Sequence, residues 1–300
     1  MNKKERLYKG LLPVMRCKDH TVSQETFEIL KNETYQLLVT SPVPLELEKY
    51  YKSEDYISHT NSKKGLLDNI YQNVRKHTVR KKRLLIDSFQ TTEKNLLDVG
   101  AGTGDFLKTC KTNGWNVSGI EPNEDARKSA LEKGILLEED LFSLQANSFD
   151  VITLWHVLEH VVHLDEYIRQ LKKLLKPDGV LLIAVPNYKS YDAAYYKEHW
   201  AAFDVPRHLW HFSQFSIQKL FNEVEMKVVK TKPMKFDSYY VSLLSEKHKS
   251  GFMNPFKAFY IGFRSNLKAR RTSEYSSLSS KSLRLRYERP GVPAAAFGMS

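Results

Sequence analysis

Cysteine is nearly absent from this chain. Its 300 residues include two, Cys17 and Cys110, too few and too far apart for a disulfide framework. No run of 18 apolar residues occurs, so no membrane-crossing helix is expected. The apolar stretch within the basic segment from Met1 to Met15 is too short for a secretory signal. These absences make a cytoplasmic setting the default expectation. Acidic residues are scarce at one end: residues 227–300 hold 15 Lys/Arg against 4 Asp/Glu, whereas residues 1–226 hold 31 of each. The net charge of +11 therefore belongs to the last quarter. That quarter is either simply solvated or turned towards nucleic acid, anionic lipid or an acidic substrate. An apolar content of 41% suffices for a packed core, in one large domain or one domain with additions.

The most informative segment is a glycine-rich turn. The run from Asn95 to Leu107 starts as an apolar strand (Leu96, Leu97, Val99), passes through Gly100, Gly102 and Gly104, and enters a helix-like stretch. Glycines let backbone approach a ligand closely, and the first N–H groups of the next helix are free. Such a turn at the carboxyl end of a strand is a place for a polar cofactor. The spacing is Gly-x-Gly-x-Gly after Asp98, not the Gly-x-Gly-x-x-Gly of dinucleotide folds, which disfavours a dehydrogenase. Further on, Val117 to Pro122 reads as a second strand ending in Glu121, an acid whose two oxygens suit the hydroxyls of a ribose. Strands are expected over 95–99, 116–120, 149–154, 179–184 and 226–232, with a short one near 135–138. Helices are expected over 104–113, 123–132, 164–175 and 213–223. This alternation predicts an α/β fold with a doubly wound, mostly parallel sheet.

Four segments carry a resemblance: Leu97-Asp98-Val99-Gly100-Ala101-Gly102-Thr103-Gly104; Gly119-Ile120-Glu121-Pro122; Phe149 to Val161, containing His156-Val157-Leu158-Glu159-His160; and Leu174 to Pro186. In this order they resemble the Rossmann-like class I S-adenosylmethionine-dependent methyltransferases, and most of all the group around the ubiquinone-pathway O-methyltransferases, over roughly residues 85–235. The resemblance implies S-adenosyl-L-methionine as cofactor, with Asp98, Gly100, Gly102 and Gly104 around its methionine portion. It implies Glu121, followed by Pro122, at the ribose, Asp140 with Leu141 at the adenine amino group, and Trp155 with His156 lining the methionine side. In the ubiquinone-type relatives, positions 156, 159 and 160 correspond to Glu, Glu and His and are associated with a divalent cation. His156 in place of the first acid weakens a case for magnesium, which prefers oxygen ligands, and no metal is expected. Glu159 and His160 then cap or line the pocket. His-x-x-Glu-His is also the inverted zinc-protease motif; its position directly after a buried strand of a cofactor-binding fold argues against that reading.

Residues 1–62 form an N-terminal extension with strands near Thr26–Leu30 and Gln36–Thr40, ended by Ser41-Pro42-Val43-Pro44. It resembles the remains of a small zinc-binding module that precedes some relatives. Asn32 and Tyr35 stand where a Cys-x-x-Cys pair would be, and Cys17 alone cannot build a thiolate site, so no structural zinc is expected. Residues 64–90 have helical periodicity, with a basic face (Arg75, Lys76, Arg80, Lys81, Lys82, Arg83) expected to be solvated. The cofactor domain is expected over 63–235 and a helical addition over 236–278. Within the latter, Phe256, Phe259, Tyr260, Phe263 and Leu267 recur at near-helical spacing among basic residues. That helix either packs on its own domain or makes peripheral membrane contact. Relatives would finish with an antiparallel strand after Leu278. Residues 279–300 lack convincing alternation and are expected to be a disordered tail, which leaves the seventh strand in question.

Methyl transfer from a sulfonium asks the protein to align donor and acceptor, exclude water and, where the acceptor's pKa is high, remove a proton. The stretch from His199 to Ser213 lies between the fifth strand and the next helix and holds three histidines, Trp200, Trp210, Asp204 and Arg207. His208 is the candidate base, Arg207 the group that positions an anionic acceptor, and His160 a further catalytic candidate. Tyr191, Tyr195 and Tyr196 are candidate lining residues, and Ser213 a candidate helix cap. The reading is methyl transfer to a small-molecule acceptor, at oxygen. A nucleic-acid or protein acceptor reached through the basic C-terminus is the second reading. It is disfavoured because Leu154-Trp155-His156-Val157 stands where an Asn-Pro-Pro-Tyr-like tetrapeptide would. A cofactor-binding homologue without turnover is the third.

Overall fold

In the computed structural model, which describes residues 6–51, 66–89, 91, 93–271 and 280–287, the chain runs β1 (Leu11–Lys18), β2 (Thr26–Asn32), β3 (Leu37–Ser41), α1 (Leu66–Asp87), β4 (Asn95–Val99), α2 (Asp105–Lys111), β5 (Asn116–Ile120), α3 (Glu124–Leu131), β6 (Phe149–Trp155), α4 (Leu164–Leu174), β7 (Leu175–Pro186), α5 (Tyr191–Tyr196), β8 (Trp210–His211), α6 (Gln214–Asn222), β9 (Met226–Pro233), α7 (Lys235–Ser250), α8 (Pro255–Arg271) and β10 (Ser280–Tyr287). The main sheet has the order β5-β4-β6-β7-β10-β9. Its first four strands are parallel, and β10 is antiparallel to both neighbours. Successive residues of a strand point to opposite faces. Leu97, Ile152 and Leu181 enter one core, while Leu96, Val151 and Leu182 enter another. Both sets are apolar because helices cover both faces. The short strand expected near 135–138 is a single parallel bridge between Ile120 and Glu138.

The expectation of a disordered tail over 279–300 fails for Ser280–Tyr287. These residues are β10, paired with β7 from Ser280 opposite Pro186 to Arg286 opposite Val180, and with β9 on the other side. Two backbone ladders place this strand, so its sequence needs only weak apolar alternation. The seventh-strand position is therefore filled. Residues 288–300 lie outside the described residues.

The N-terminal strands form a second, antiparallel sheet of order β1-β2-β3-β8. Its fourth strand comes from the stretch between α5 and α6. Leu37 and Val39 share a core with Leu209, Trp210 and Phe212, while Leu38, Phe27 and Ile29 pack with Tyr196, Trp200 and Phe203. The extension is thus continuous with the body. At the places of the missing cysteines, Asn32 Nδ2 donates to the Leu7 carbonyl at 3.0 Å, its Oδ1 accepts from the Tyr35 N–H at 3.1 Å, and Tyr35 Oη donates to Glu223 at 2.7 Å. After β9, α7 and α8 form an antiparallel hairpin, with Ser238 near Gly262 and Glu246 paired to Lys257. Among the described residues no helix is long and apolar enough to cross a membrane.

Candidate active site

β4 delivers the glycine turn to the carboxyl edge of the sheet. Asp98 is buried, and its Oδ1 accepts from Thr153 Oγ1 at 2.6 Å. Burial pushes its carboxyl up to about 7, with the Thr153 hydrogen bond and the Lys82 ammonium pulling the other way. Gly100 and Gly102 differ in purpose. At Gly100 (φ 72°) a Cβ would stand 2.4 Å from Cγ2 of Val157, because the segment leaving β6 crosses it. At Gly102 (φ 54°) a Cβ would meet nothing within 4 Å, so this backbone faces open space. The Gly102 N–H donates to Glu121 Oε2 at 2.8 Å, and the Asn123 N–H donates to Glu121 Oε1 at 3.0 Å. Two backbone amides thus fix this carboxylate at the tip of β5, and each oxygen retains a lone pair for a diol. The Pro122 carbonyl accepts from Arg127 at 2.7 Å. Gly104 stands at the N-cap of α2. Asp140 is exposed and its Oδ1 caps its own turn by accepting from the Phe142 N–H at 3.0 Å. Leu141 is packed into the main core, so its side chain supports this rim from beneath.

Trp155 and His156 end β6. The Trp155 indole nitrogen is buried without a hydrogen-bond partner. Lys82 Nζ stands 4.3 Å above the same ring, and burial lowers its pKa while Asp98 and Asp237 oppose the shift. The expectation that Lys82 belongs to a solvated face is therefore corrected: this lysine turns inward from α1. His156 holds a left-handed backbone, φ 61°, uncommon for a residue with a Cβ. Its Nδ1 lies 3.3 Å from Glu159 Oε1 and its Nε2 lies 3.3 Å from Asp237 Oδ2. Burial acts to lower its pKa, but these two carboxylates outweigh it and raise the value to about 9. Asp237, at the start of α7, carries no sequence signal beyond its charge.

On the acceptor side, Glu159 is fully buried and neither of its oxygens receives a well-formed hydrogen bond. His160 Nδ1 lies 3.0 Å from the Arg207 carbonyl oxygen, and His208 Nδ1 lies 2.9 Å from that of Ala202. A carbonyl only accepts, so Nδ1 carries a proton in both rings and Nε2 is the nitrogen left to meet a ligand; that of His208 lies 4.0 Å from Asp204 Oδ2. Tyr51 Oη adds a contact to His160 Nδ1 at 3.0 Å. The rings of His160 and His208 meet edge to face at 4.6 Å. Burial and the neighbouring His208 hold His160 down at about 4.

Ligating atoms of Glu159, His160 and His208 lie within 4.8 Å of one another. Two imidazoles backed by carbonyls plus one buried carboxylate fit a borderline divalent cation such as Zn²⁺, and fit magnesium poorly. The sequence argument against a metal turned on position 156; His208, brought in by the loop, supplies the donor it lacked.

Arg207 departs from its expected role. Its guanidinium donates to Asp19 at 3.0 Å, to both Asp204 oxygens at 2.5 and 2.9 Å and to the Tyr50 carbonyl at 3.0 Å. It is buried and spends itself on protein partners, not on an acceptor. His211 belongs to β8 and contacts Thr40 Oγ1 at 2.9 Å. Trp210 and Phe212 are core, and Ser213 caps α6. Tyr196 is buried in the second core, while Tyr191 and Tyr195 lie under Lys268 and Lys249.

Residues 71–231 match the methyltransferase domain family. A ubiquinone biosynthesis O-methyltransferase of Actinobacillus pleuropneumoniae serotype 7 is 34% identical over 171 residues, covering 51% of this chain and 72% of its own. One from Haemophilus ducreyi is 38% identical over 108 residues, covering 31% and 46%. Among solved structures, the magnesium protoporphyrin IX methyltransferase of Synechocystis with bound SAH is 14% identical, covers 81% of this chain and 98% of its own, and has a TM-score of 0.53; it shares the fold. Glycine turn, ribose-height carboxylate, parallel sheet and family match agree: the chain belongs to the S-adenosylmethionine-dependent methyltransferases, with S-adenosylmethionine as its cofactor.

Proposed function

We propose that this enzyme methylates a hydroxyl of a small aromatic acceptor, a phenol or quinol, held against Glu159, His160 and His208. The observation that carries the reading is the pair of imidazoles, each held through Nδ1 by a backbone carbonyl, beside the buried Glu159 carboxylate. Bound S-adenosylmethionine supplies an electrophilic methyl group on a sulfonium. Glu121 receives the ribose hydroxyls, the open backbone at Gly102 gives the methionine portion room, and Asp98 offers a negative charge to its cationic groups. His208 Nε2 takes the acceptor's hydroxyl proton, and Arg207 holds the 199–213 loop in place from behind. In the alternative, Glu159, His160 and His208 would hold a divalent cation, which would lower the pKa of an acceptor hydroxyl, and His208 Nε2 would then be a ligand and not the base. Two free, buried thiols accord with a cytoplasmic setting. The relatives' name, ubiquinone biosynthesis O-methyltransferase, supports the acceptor class.

The test is methyl transfer from labelled S-adenosylmethionine to a panel of phenols and quinols. His208→Gln should lose about 10²-fold or more in kcat with cofactor affinity unchanged. Cofactor binding with no transfer to any member would favour a non-catalytic homologue, and full turnover by His208→Gln would remove the base.

A further inference from the structure

The α7–α8 hairpin turns mainly small and hydroxyl residues inward. Ser238, Ser242 and Ser245 of α7 and Ala258, Gly262, Ser265 and Asn266 of α8 are all buried, between the helices or against the body, where Ser245 accepts from the Ala201 N–H and Ile261 enters the second core. The helices approach so closely at Gly262 that a Cβ there would come within 2.7 Å of the Tyr239 ring. Asn266 Nδ2 donates to Ser238 Oγ at 2.8 Å, and Ser265 Oγ donates to the buried Asp192 at 2.6 Å, fastening α8 to the body. Most of the aromatic side chains of the hairpin point the other way. Phe256 is 87% exposed, Phe252 63% and Phe259 61%, with Met253, Tyr260 and Phe263 exposed beside them. Phe259 stacks on Tyr239 at 5.1 Å and on Phe263 at 6.4 Å, which joins these three rings into one aromatic surface.

A helix bathed in water buries its apolar stripe, and a contiguous exposed apolar patch marks a contact surface. Small and hydroxyl residues inside with aromatics outside is the packing of helices surrounded by hydrocarbon. Yet neither helix is long and apolar enough to cross a membrane. Exposed cations share the two helices with these aromatics, Lys247 and Lys249 on α7 and Arg264 and Lys268 on α8, while Lys257 is paired with Glu246. They lie in the quarter of the chain that holds the whole excess of positive charge. Aromatic residues edged by Lys and Arg are what an in-plane helix presents to anionic headgroups.

We propose that the α7–α8 hairpin docks this enzyme on an anionic lipid surface. Phe252, Phe256, Phe259 and Phe263 enter the boundary between headgroups and acyl chains, and the flanking cations pair with lipid phosphates. The hairpin's base carries Asp237, which meets His156 in the cofactor site, so arm and site are physically joined.

The test is flotation of the full chain with phosphatidylcholine vesicles and with phosphatidylcholine–phosphatidylglycerol vesicles. Cofactor titration and thermal unfolding of the same samples report fold and site. The wild type should float with the anionic vesicles, only weakly with the neutral ones, and less at high salt. The double variant Phe252→Ser, Phe256→Ser should lose about 10-fold or more in vesicle partition, with cofactor affinity and Tm unchanged. Lys247→Glu with Lys249→Glu should weaken binding to the anionic vesicles alone. Three results would overturn the proposal: no flotation with either vesicle; equal flotation of wild type and phenylalanine variant; or a concentration-dependent dimer that the phenylalanine variant dissolves, which would make the patch a self-association face. A salt-sensitive affinity for RNA exceeding that for the vesicles would likewise reassign the basic surface.

Discussion

Arg207 and Asp19 stand 188 positions apart in sequence and 3.0 Å apart in space, both buried. The pair joins the N-terminal sheet to the loop that carries His208. Removing one partner of a buried ion pair leaves the other charge uncompensated. Asp19 also accepts from the backbone of Thr21 and Ser23, so its loss frees the turn as well. Asp19→Ala should cost about 3 kcal/mol of stability, read by urea unfolding, and should lower kcat through a displaced loop. A variant as stable as wild type would show that Asp204 alone satisfies Arg207.

The glycine turn separates a steric requirement from a binding one. Gly100→Ala drives a methyl group into Val157 and should destabilise the fold by about 1–3 kcal/mol. Gly102→Ala meets no protein atom and carries only the left-handed backbone cost of about 1–2 kcal/mol. It should nevertheless weaken S-adenosylmethionine binding, because the added methyl occupies the open side of the turn. Denaturant unfolding and calorimetric titration of the two variants should rank them in opposite order. The same ranking in both assays would contradict this division.

Asp98 sets a pH dependence whose sign can be worked out. Its folded pKa of about 7 lies above the ordinary 3.8, so between those values the folded chain holds a proton that the unfolded chain has released. The stabilisation this confers is complete below the ordinary value and is lost as pH rises through about 7. A cationic ligand favours the ionised form, so binding should expel the proton. Affinity for S-adenosylmethionine should therefore climb with pH through this window and level off above it. Calorimetry in buffers of different ionisation enthalpy reads the proton release directly, and Asp98→Asn should abolish it. A flat affinity across the window would place the charge elsewhere.

The donor set of Glu159, His160 and His208 predicts a metal preference. Zn²⁺ or Mn²⁺ should raise the Tm of the wild type, Mg²⁺ at equal concentration should not, and His208→Ala should remove the effect. Differential scanning fluorimetry after chelator treatment is sufficient. Equal shifts with His208→Ala would mean that binding occurs at another site.

Much of this architecture is legible in the sequence because its signals are local. The parallel strands advertise themselves as apolar runs, and the turn as three glycines at fixed spacing. Glu121 follows at the tip of the next strand. What was not legible depends on distant parts of the chain. β8 is two residues long and exists only because β3 offers an edge. β10 is defined by its neighbours on both sides more than by its own pattern. Lys82 lies in a helix rich in cations on several faces, so nothing local says which cation turns inward. Arg207 has the chemistry of an anion-binding residue; only the fold reveals that Asp19 and Asp204 consume it.

The pairing of Lys281 with Pro233 has a consequence for how such an enzyme diversifies. The chain leaves the main sheet at the end of β9 and re-enters it next door, so the two-helix arm is an excursion whose departure and return points are neighbours. Lengthening, trimming or exchanging it leaves the strand order untouched. The surface this enzyme meets can thus evolve on its own schedule, and Asp237 at His156, Ser245 at Ala201 and Ser265 at Asp192 would report such an exchange back to the body.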